Sequence, residues 1–288
     1  MPIREQRVMA SSTPQETLET LGLRATADPE ALGGGDIGKV WRVTTSQGDV
    51  LVKHADEQGL EAEADGLRAL QAADTGLIIP DIVGELPGAL VMTYLPPARP
   101  DRQTHEAFGH GLRVLHGQTH VEHGWHRDNF AGTTPQINTC HEDGRVFQRE
   151  CRLLPLASLC LQSGRMDRHL FDQLSSVANA LESWLPDAPA SLVHGDLWSG
   201  NVHFSTQGPA LIDPAIYRHY PEADIALLEL FGSPSTAFYD AYWDGDAPDD
   251  WPRRRALFQL YPLLNHLYMF GGSYAQGVRT AVAQLPGS

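Results

Sequence analysis

The chain has 288 residues, 42% of them hydrophobic, and a formal net charge of −15 from 36 acidic and 21 basic side chains. That length supports two lobes with apolar cores of their own, and no apolar run approaches the roughly 20 residues of a membrane span. The acidic balance, with no basic stripe to offset it, argues against a duplex nucleic-acid partner but not against a nucleotide, which a few lysines and a cation can neutralise.

The N-terminal Met1-Pro-Ile-Arg-Glu-Gln-Arg7 has no apolar core for export. Cys140, Cys151 and Cys160 are odd in number and form no Cys-x-x-Cys pair. Free thiols in a reducing compartment, and a cytoplasmic location, are therefore expected.

In chain order, Thr13-Pro-Gln-Glu16 is a capping-box signature with Pro14 at the first helical position, and predicts a short helix. Gly33-Gly-Gly-Asp-Ile-Gly-Lys-Val-Trp-Arg-Val43 reads as a glycine turn entering a strand. Asp49-Val-Leu-Val-Lys-His54 is its antiparallel partner across Ser46-Gln-Gly48. Leu60, Ala64, Leu67 and Leu70 form one helical face. Ala89-Leu-Val-Met-Thr-Tyr94 is a further strand, and Pro96-Pro97 breaks the pattern. That break divides a first lobe, residues 1–95, from a second, residues 96–288. Beyond it Phe108, Leu112, Leu115 and His116 share a helical face, as do Leu170, Leu174, Val177, Leu181 and Trp184. Arg253 to about Tyr274 is a third helical stretch, interrupted or kinked near Pro262. Strands with one helix, then helices with a small hairpin, predict an α+β bilobal fold.

The hairpin carries the chemistry. Ser191-Leu-Val-His-Gly-Asp-Leu-Trp-Ser-Gly-Asn-Val-His-Phe204 is followed by Leu211-Ile-Asp-Pro-Ala215, which reads as strand, polar loop, strand, turn, strand. An Asp, an Asn five residues on and a further Asp after a short hairpin is how kinase-like folds hold magnesium around a transferring phosphoryl group. Such transfer needs positioning and charge neutralisation more than covalent help. Asp196 is placed to orient an attacking hydroxyl and accept its proton. Asn201 and Asp213 offer an amide and a carboxylate oxygen to Mg2+. Either acid alone would read as a turn cap; the full set between two apolar strands points to chemistry.

A phosphate anchor is then required of the first lobe. Lys53 lies in a strand after the glycines, ten residues before Glu63 on the next helix, the order expected of a phosphate-binding lysine and its glutamate. Gly34 and Gly35 would let backbone N–H groups approach phosphate. The whole is the layout of a protein-kinase-like fold, with a small antiparallel-sheet N-lobe and a mainly helical C-lobe.

Histidines recur at 105, 110, 116, 120, 123 and 126. No flanking carboxylate or cysteine completes a zinc signature with His116 and His120, so they read as core or solvated rings. His194 reads as a brace for the loop rather than a proton shuttle. Asp224 opens an apolar helix, where it serves as an N-terminal helix charge or reaches back to the Asp196 loop backbone. Glu222, Asp224 and Glu229 are the acids available to an acidic pocket for a cationic acceptor.

On these residues the chain resembles the fructosamine-3-kinase or ketosamine-3-kinase family, a branch of the aminoglycoside-phosphotransferase-like kinases. The resemblance runs nearly end to end: Gly34-Gly35, Lys53, Glu63-Ala-Asp-Gly-Leu67 and Leu90-Val-Met-Thr-Tyr-Leu-Pro96 in the first lobe. In the second it takes in Leu115-His116, Gly124-Trp125, Asp128-Asn-Phe130, Pro135-Gln136 with Asn138, and Arg152-Leu153. It is strongest at His194-Gly-Asp-Leu-Trp-Ser-Gly-Asn201, Asp213-Pro-Ala215, Glu222-Ala-Asp224, Leu230-Phe-Gly232, and Leu263-Leu-Asn-His266 leading to Phe270-Gly-Gly272. His-Gly-Asp is shared with choline and aminoglycoside kinases, whereas the tryptophan of Asp-Leu-Trp-Ser-Gly-Asn is more particular to the fructosamine branch.

The resemblance implies ATP-dependent, magnesium-assisted phosphorylation of the 3-hydroxyl of a ketosamine, free or on a protein lysine, whose product sheds its sugar in deglycation repair. It implies Asp196 as base, Asn201 and Asp213 as metal ligands, and Lys53 with Glu63 as the phosphate-anchoring pair. It also implies nucleotide contacts at Gly34, Gly35, Met92 and Tyr94, and Trp198 stacked on the acceptor sugar unless it is a core residue under the loop. Many relatives carry a Trp and paired aromatics where this chain has Gly144 and Phe147-Gln148. They also differ near Leu156 and at His219-Tyr-Pro-Glu222, and some carry a cysteine where Asp36 stands. The departures outside the glycine-rich loop bear on the acceptor rather than on phosphoryl transfer, and Asp36 in place of a cysteine argues against thiol regulation of that loop. Two other readings stand beside this one: a small-molecule hydroxyl kinase of the aminoglycoside or choline type, and a catalytically silent nucleotide-binding protein. The sequence leaves open the preferred sugar, the donor nucleotide and the oligomeric state.

Overall fold

The computed structural model describes residues 13–33 and 38–285. Gly34, Gly35 and Asp36 lie outside the described residues. Two compact units emerge, Met1–Leu60 with Asp81–Tyr94 and Glu61–Pro80 with Leu95–Ser288.

The first unit opens with α1 (Pro14–Thr20). Its capping box forms as the sequence predicts: the Glu16 amide donates to the Thr13 hydroxyl at 3.2 Å, and the Thr13 amide donates to the Glu16 carboxylate at 2.7 Å. Behind it lies an antiparallel sheet of β1 (Glu30–Leu32), β2 (Lys39–Thr45), β3 (Gly48–His54), β4 (Ile82–Leu86) and β5 (Ala89–Thr93), in the order β1-β2-β3-β5-β4. The β2–β3 hairpin turns over Ser46-Gln47, with Thr45 opposite Gly48. Leu18 of α1 packs with Val43, Val50, Val52 and Val91 as a small apolar core. Strand alternation therefore turns Lys53, next to Val52, to the other face, where it sits between Val40 and Leu90 in the ladder.

Helix α2 (Glu57–Ala72) buries the stripe Leu60, Ala64, Leu67 and Leu70. In the second unit the chain continues through α3 (Arg102–His116), capped by the Asp101 carboxylate, then β6 (Thr119–His120), β7 (Asn129–Ala131) and β8 (Thr134–Gln136). A short helix α4 (Gly144–Phe147) runs through a π-helical turn, Gln148–Leu153, into α5 (Leu154–Gln162) and on to α6 (Arg168–Asn179). Next come β9 (Ala190–Val193), β10 (Val202–Ser205), β11 (Gly208–Leu211) and β12 (Tyr217–His219). The unit closes with α7 (Glu222–Leu230), α8 (Thr236–Trp243), α9 (Trp251–Phe270) and α10 (Ala275–Ala283).

Two predicted helices have other limits. Leu181 and Trp184 lie past the end of α6, around a separate 3-10 turn. Helix α9 runs through Pro262 and stops at Gly271, whose φ of 95° no side-chain-bearing residue adopts easily. Strand β9 lies between β12 and β6, and β10 pairs with β11, so the segment between β9 and β10 is held at both ends by sheet. Helix α3 packs closely on α8, because a Cβ at Gly109 would meet the Phe238 carbonyl oxygen at 2.4 Å. Among the described residues no helix is long and apolar enough to cross a membrane.

Candidate active site

The loop from His194 to Asn201 is fixed before any ligand arrives. Gly195 has φ 82°, and a Cβ there would lie 2.0 Å from the Ala215 carbonyl oxygen, so only glycine fits. Asp224, in the first turn of α7, accepts the backbone N–H of His194 at 2.7 Å and that of Gly195 at 2.9 Å. Of its two expected roles, it takes the reach to the loop. The same carboxylate meets His116 Nε2 at 3.1 Å, and His116 Nδ1 lies 2.8 Å from the Tyr242 hydroxyl. His194 is fully buried; its Nε2–H donates to the Ile212 carbonyl at 3.0 Å and its Nδ1 accepts the Asp196 N–H at 3.3 Å. Burial pushes the His194 pKa down, so the ring is neutral and acts as the brace its position suggested.

Asp196 follows at the mouth of this loop. The Asn201 amide nitrogen donates to the Asp196 carbonyl at 2.8 Å and to its carboxylate at 3.1 Å. Burial pushes the Asp196 carboxyl up to about 6; the Asn201 hydrogen bond works against this, and the charges of Asp213 and Asp224 add to it. A carboxylate with a pKa near neutrality can take a proton from a hydroxyl and release it again.

With its nitrogen committed to Asp196, Asn201 has Oδ1 left for a cation. The turn bearing Asp213 is tied to the same loop, since Ile212 N–H donates to the Asn201 carbonyl at 3.2 Å and Ala215 N–H to that of His194 at 3.0 Å. Asp213 itself is exposed, with φ 52°. An amide and a carboxylate oxygen suit Mg2+, which draws its other ligands from water and phosphate. Among the described residues no three His, Cys, Asp or Glu side chains gather as a self-sufficient metal site.

Trp198 is 41% exposed, and its ring lies over Gly200, where a Cβ would meet it at 2.3 Å. It is not a core tryptophan. Lys53 is half-buried on β3 of the first unit, and Glu63 is buried on α2 in the second. Met92 is buried opposite Leu51 and Ile82, and the Arg42 guanidinium covers the Tyr94 ring at 4.6 Å.

A cleft adjoins Asp196 wholly within the second unit, lined among others by Gln148, Arg152, Tyr217, Tyr261 and Asn265. Sequence reasoning assigned none of these to a site. Gln148 stood out only as a departure, and Arg152 and Asn265 only as points of resemblance. Arg152 is 1% exposed, with its guanidinium 4.1 Å from the Tyr217 ring centre and 4.5 Å from that of Phe147. It donates to the Ile137 and Cys151 carbonyls and, at 2.7 Å, to Asn138 Oδ1. Asn138 and Gln136 both donate to Asn129 Oδ1, and the Tyr261 hydroxyl donates to Gln136 Oε1 at 3.0 Å.

Two further expectations meet the structure here. At Gly144 a Cβ would come within 2.4 Å of the His123 ring and 2.6 Å of Tyr220, so this departure makes room for a buried histidine. The acids proposed for a cationic pocket are spent elsewhere, Glu222 on Arg254, Glu229 on Arg255 and Asp224 on the loop; none of them lines the cleft.

The family model for fructosamine kinase matches residues 9–286. An Enterococcus faecium protein named as a probable ketoamine kinase is 36% identical over 256 residues, covering 85% of this chain and 90% of its own. A Thermus thermophilus protein of the same name is 32% identical over 280 residues, 94% and 98% of the two chains. Among solved structures, a Thermobifida fusca protein assigned as a fructosamine-3-kinase matches with a TM-score of 0.86 at 28% identity, over 94% of this chain and 98% of that one. An aminoglycoside phosphotransferase solved with gentamicin matches at 0.62 and 15% identity, over 96% and 97%. That last likeness speaks to the protein-kinase-like fold alone.

Proposed function

The chain belongs to the fructosamine kinase family, and from that premise we propose that it transfers the terminal phosphoryl group of ATP to the 3-hydroxyl of a ketosamine. The observation that carries this reading is the Asp196–Asn201 pair: a carboxylate with a pKa near 6 on a loop that Asp224 holds rigid. Asp196 orients the acceptor hydroxyl and takes its proton as the oxygen attacks phosphorus. The bond from phosphorus to the bridging oxygen breaks, and ADP leaves with that electron pair. Asn201 Oδ1 and the Asp213 carboxylate would hold Mg2+, which when bound neutralises charge on the phosphate oxygens. Lys53, supported by Glu63, would anchor the phosphates, the backbone at Gly34 and Gly35 would approach them, and Met92 and Tyr94 would contact the nucleotide. Trp198, exposed beside the base, would stack on the sugar. Phosphorylation at the third carbon gives a product that sheds its sugar, so the reaction would reverse glycation of an amine.

The test is magnesium-dependent ADP release with ribulosyl-, erythrulosyl- and fructosyl-lysine, beside an aminoglycoside and a plain amino alcohol. Turnover on a ketosamine is expected, falling about a thousandfold in Asp196→Asn with nucleotide affinity largely retained. Wild-type rates in that variant, or turnover on the other alcohols only, would overturn the reading.

A further inference from the structure

Three residues that line the cleft beside Asp196 each carry a buried polar atom without a hydrogen-bond partner: Gln148 Nε2, Arg152 Nε and Asn265 Oδ1. Their residues are 2%, 1% and 6% exposed. Polar atoms buried this deeply are nearly always paired, and three at the wall of one cleft mark a surface completed by a ligand.

Their polarity can be worked out from their neighbours. Asn265 is fixed, because its amide nitrogen donates to the Ala131 carbonyl at 3.0 Å; the atom left over is an acceptor. Arg152 Nε is a donor. Gln148 depends on two imidazoles. Gln148 Oε1 is placed 2.9 Å from His219 Nε2, His219 Nδ1 lies 3.0 Å from His123 Nδ1, and His123 Nε2 lies 3.2 Å from the Ala188 carbonyl. That carbonyl can only accept, so His123 carries its proton on Nε2. Were His219 also to donate from Nε2, two Nδ1 lone pairs would face each other. Turning the Gln148 amide over removes the conflict with both rings neutral: Gln148 donates to His219 Nε2, His219 Nδ1–H donates to His123 Nδ1, and His123 Nε2–H donates to Ala188. Neutral rings are what burial favours, since it lowers both imidazole pKa values. The Gln148 carbonyl then takes the unpartnered position at the cleft.

We propose that Gln148, Arg152 and Asn265 read the acceptor, the two amide carbonyls accepting from its hydroxyl or amine hydrogens and Arg152 Nε donating to one of its oxygens. This rests on the ketosamine kinase reading and specifies how the polyhydroxylated amine is recognised. With no carboxylate among the three, it selects by hydrogen bonds beside the fixed positive charge of Arg152. The buried His123–His219 relay, with the space for His123 provided by Gly144, is a positioning device for Gln148.

Two measurements decide it. Nitrogen-15 NMR of the imidazoles should show His219 protonated on Nδ1 and His123 on Nε2; Nε2–H on both, or an imidazolium, would overturn the orientation of Gln148. Calorimetric binding of fructosyl-lysine in the presence of Mg·ADP, with steady-state kinetics alongside, tests the reading of the acceptor. Gln148→Ala and Asn265→Ala should each weaken acceptor affinity and raise its KM about tenfold with the ATP KM unchanged. Urea midpoints identify a variant that fails to fold, in which case the other variant and the NMR tautomers carry the decision. Wild-type binding and turnover with unchanged variants would overturn the cleft assignment alone, whereas no wild-type binding or turnover of any ketosamine would overturn it together with the functional reading.

Discussion

The catalytic loop and the cleft beside it are built on opposite principles. In the loop, Asp224 spends its carboxylate on three N–H groups, His194 uses both ring nitrogens, and the Asn201 amide nitrogen is committed to Asp196. In the cleft, Gln148, Arg152 and Asn265 each keep a buried polar atom in reserve. A satisfied network is rigid in the free protein, as the base proposed at Asp196 requires. An unsatisfied one is shaped for something that arrives later. Under the proposed reading, the shared chemistry resides in the saturated loop and the choice of acceptor in the unsaturated wall.

Removing the carboxylate of the loop should break this contrast most severely. Asp224→Ala would strand the N–H groups of His194 and Gly195 and one nitrogen of His116 in a fully buried site. We expect a loss of about 3–5 kcal/mol in urea unfolding. We also expect about a hundredfold drop in kcat, because the base loses its position. Stability within about 0.5 kcal/mol of wild type would show that the loop is held by its flanking strands and not by Asp224.

The same contrast explains what could be read in advance. His194, Asp196 and Asn201 fall within eight residues and Asp213 follows a short hairpin, so loop chemistry leaves a contiguous pattern. The apolar stripes of α2 and α3 and the Thr13 cap were legible because their periodicity is local. The cleft draws on Gln148, Arg152, Tyr217, Tyr261 and Asn265, spread over more than a hundred residues with no fixed spacing. Gln148 looked like a mere departure until His219 was found beside it. The histidines between 105 and 126 likewise read as one run, whereas folding sends His116 to Asp224 and His123 to His219, 96 positions away. Partners chosen by tertiary packing leave no mark in a window of sequence.

The histidine relay behind the cleft offers a second, smaller test. Both rings are buried with their pKa values lowered, His219 well below the ordinary value. The unfolded chain takes up protons below about pH 6.5 that the native rings refuse. Their contribution is therefore intact above that pH and is lost as the pH falls through it, at up to about 1.4 kcal/mol per pH unit for each ring. Urea unfolding at pH 7.5 and 5.5 should show a steeper loss for the wild type than for His219→Gln, by about 1 kcal/mol. Equal losses would mean that His219 is protonated in the native state, and the orientation derived for Gln148 would fall with it.

The smallest effect should come from the network beneath Arg152. Tyr261→Phe deletes the hydroxyl that donates to Gln136 Oε1 at 3.0 Å but keeps the aromatic ring 5.2 Å from the Arg152 guanidinium. One neutral hydrogen bond is lost and one buried acceptor is left bare, a cost of about 1 kcal/mol. In a unit of this size that is about 2–4 °C in Tm. Because the variant leaves the Gln148 carbonyl, Arg152 Nε and Asn265 Oδ1 untouched, acceptor KM should stay within about twofold of wild type. A destabilisation as large as that of Asp224→Ala would show that the wall of the cleft is as tightly determined as the loop. A large rise in acceptor KM with Tm unchanged would instead add the Tyr261 hydroxyl to the groups that read the acceptor.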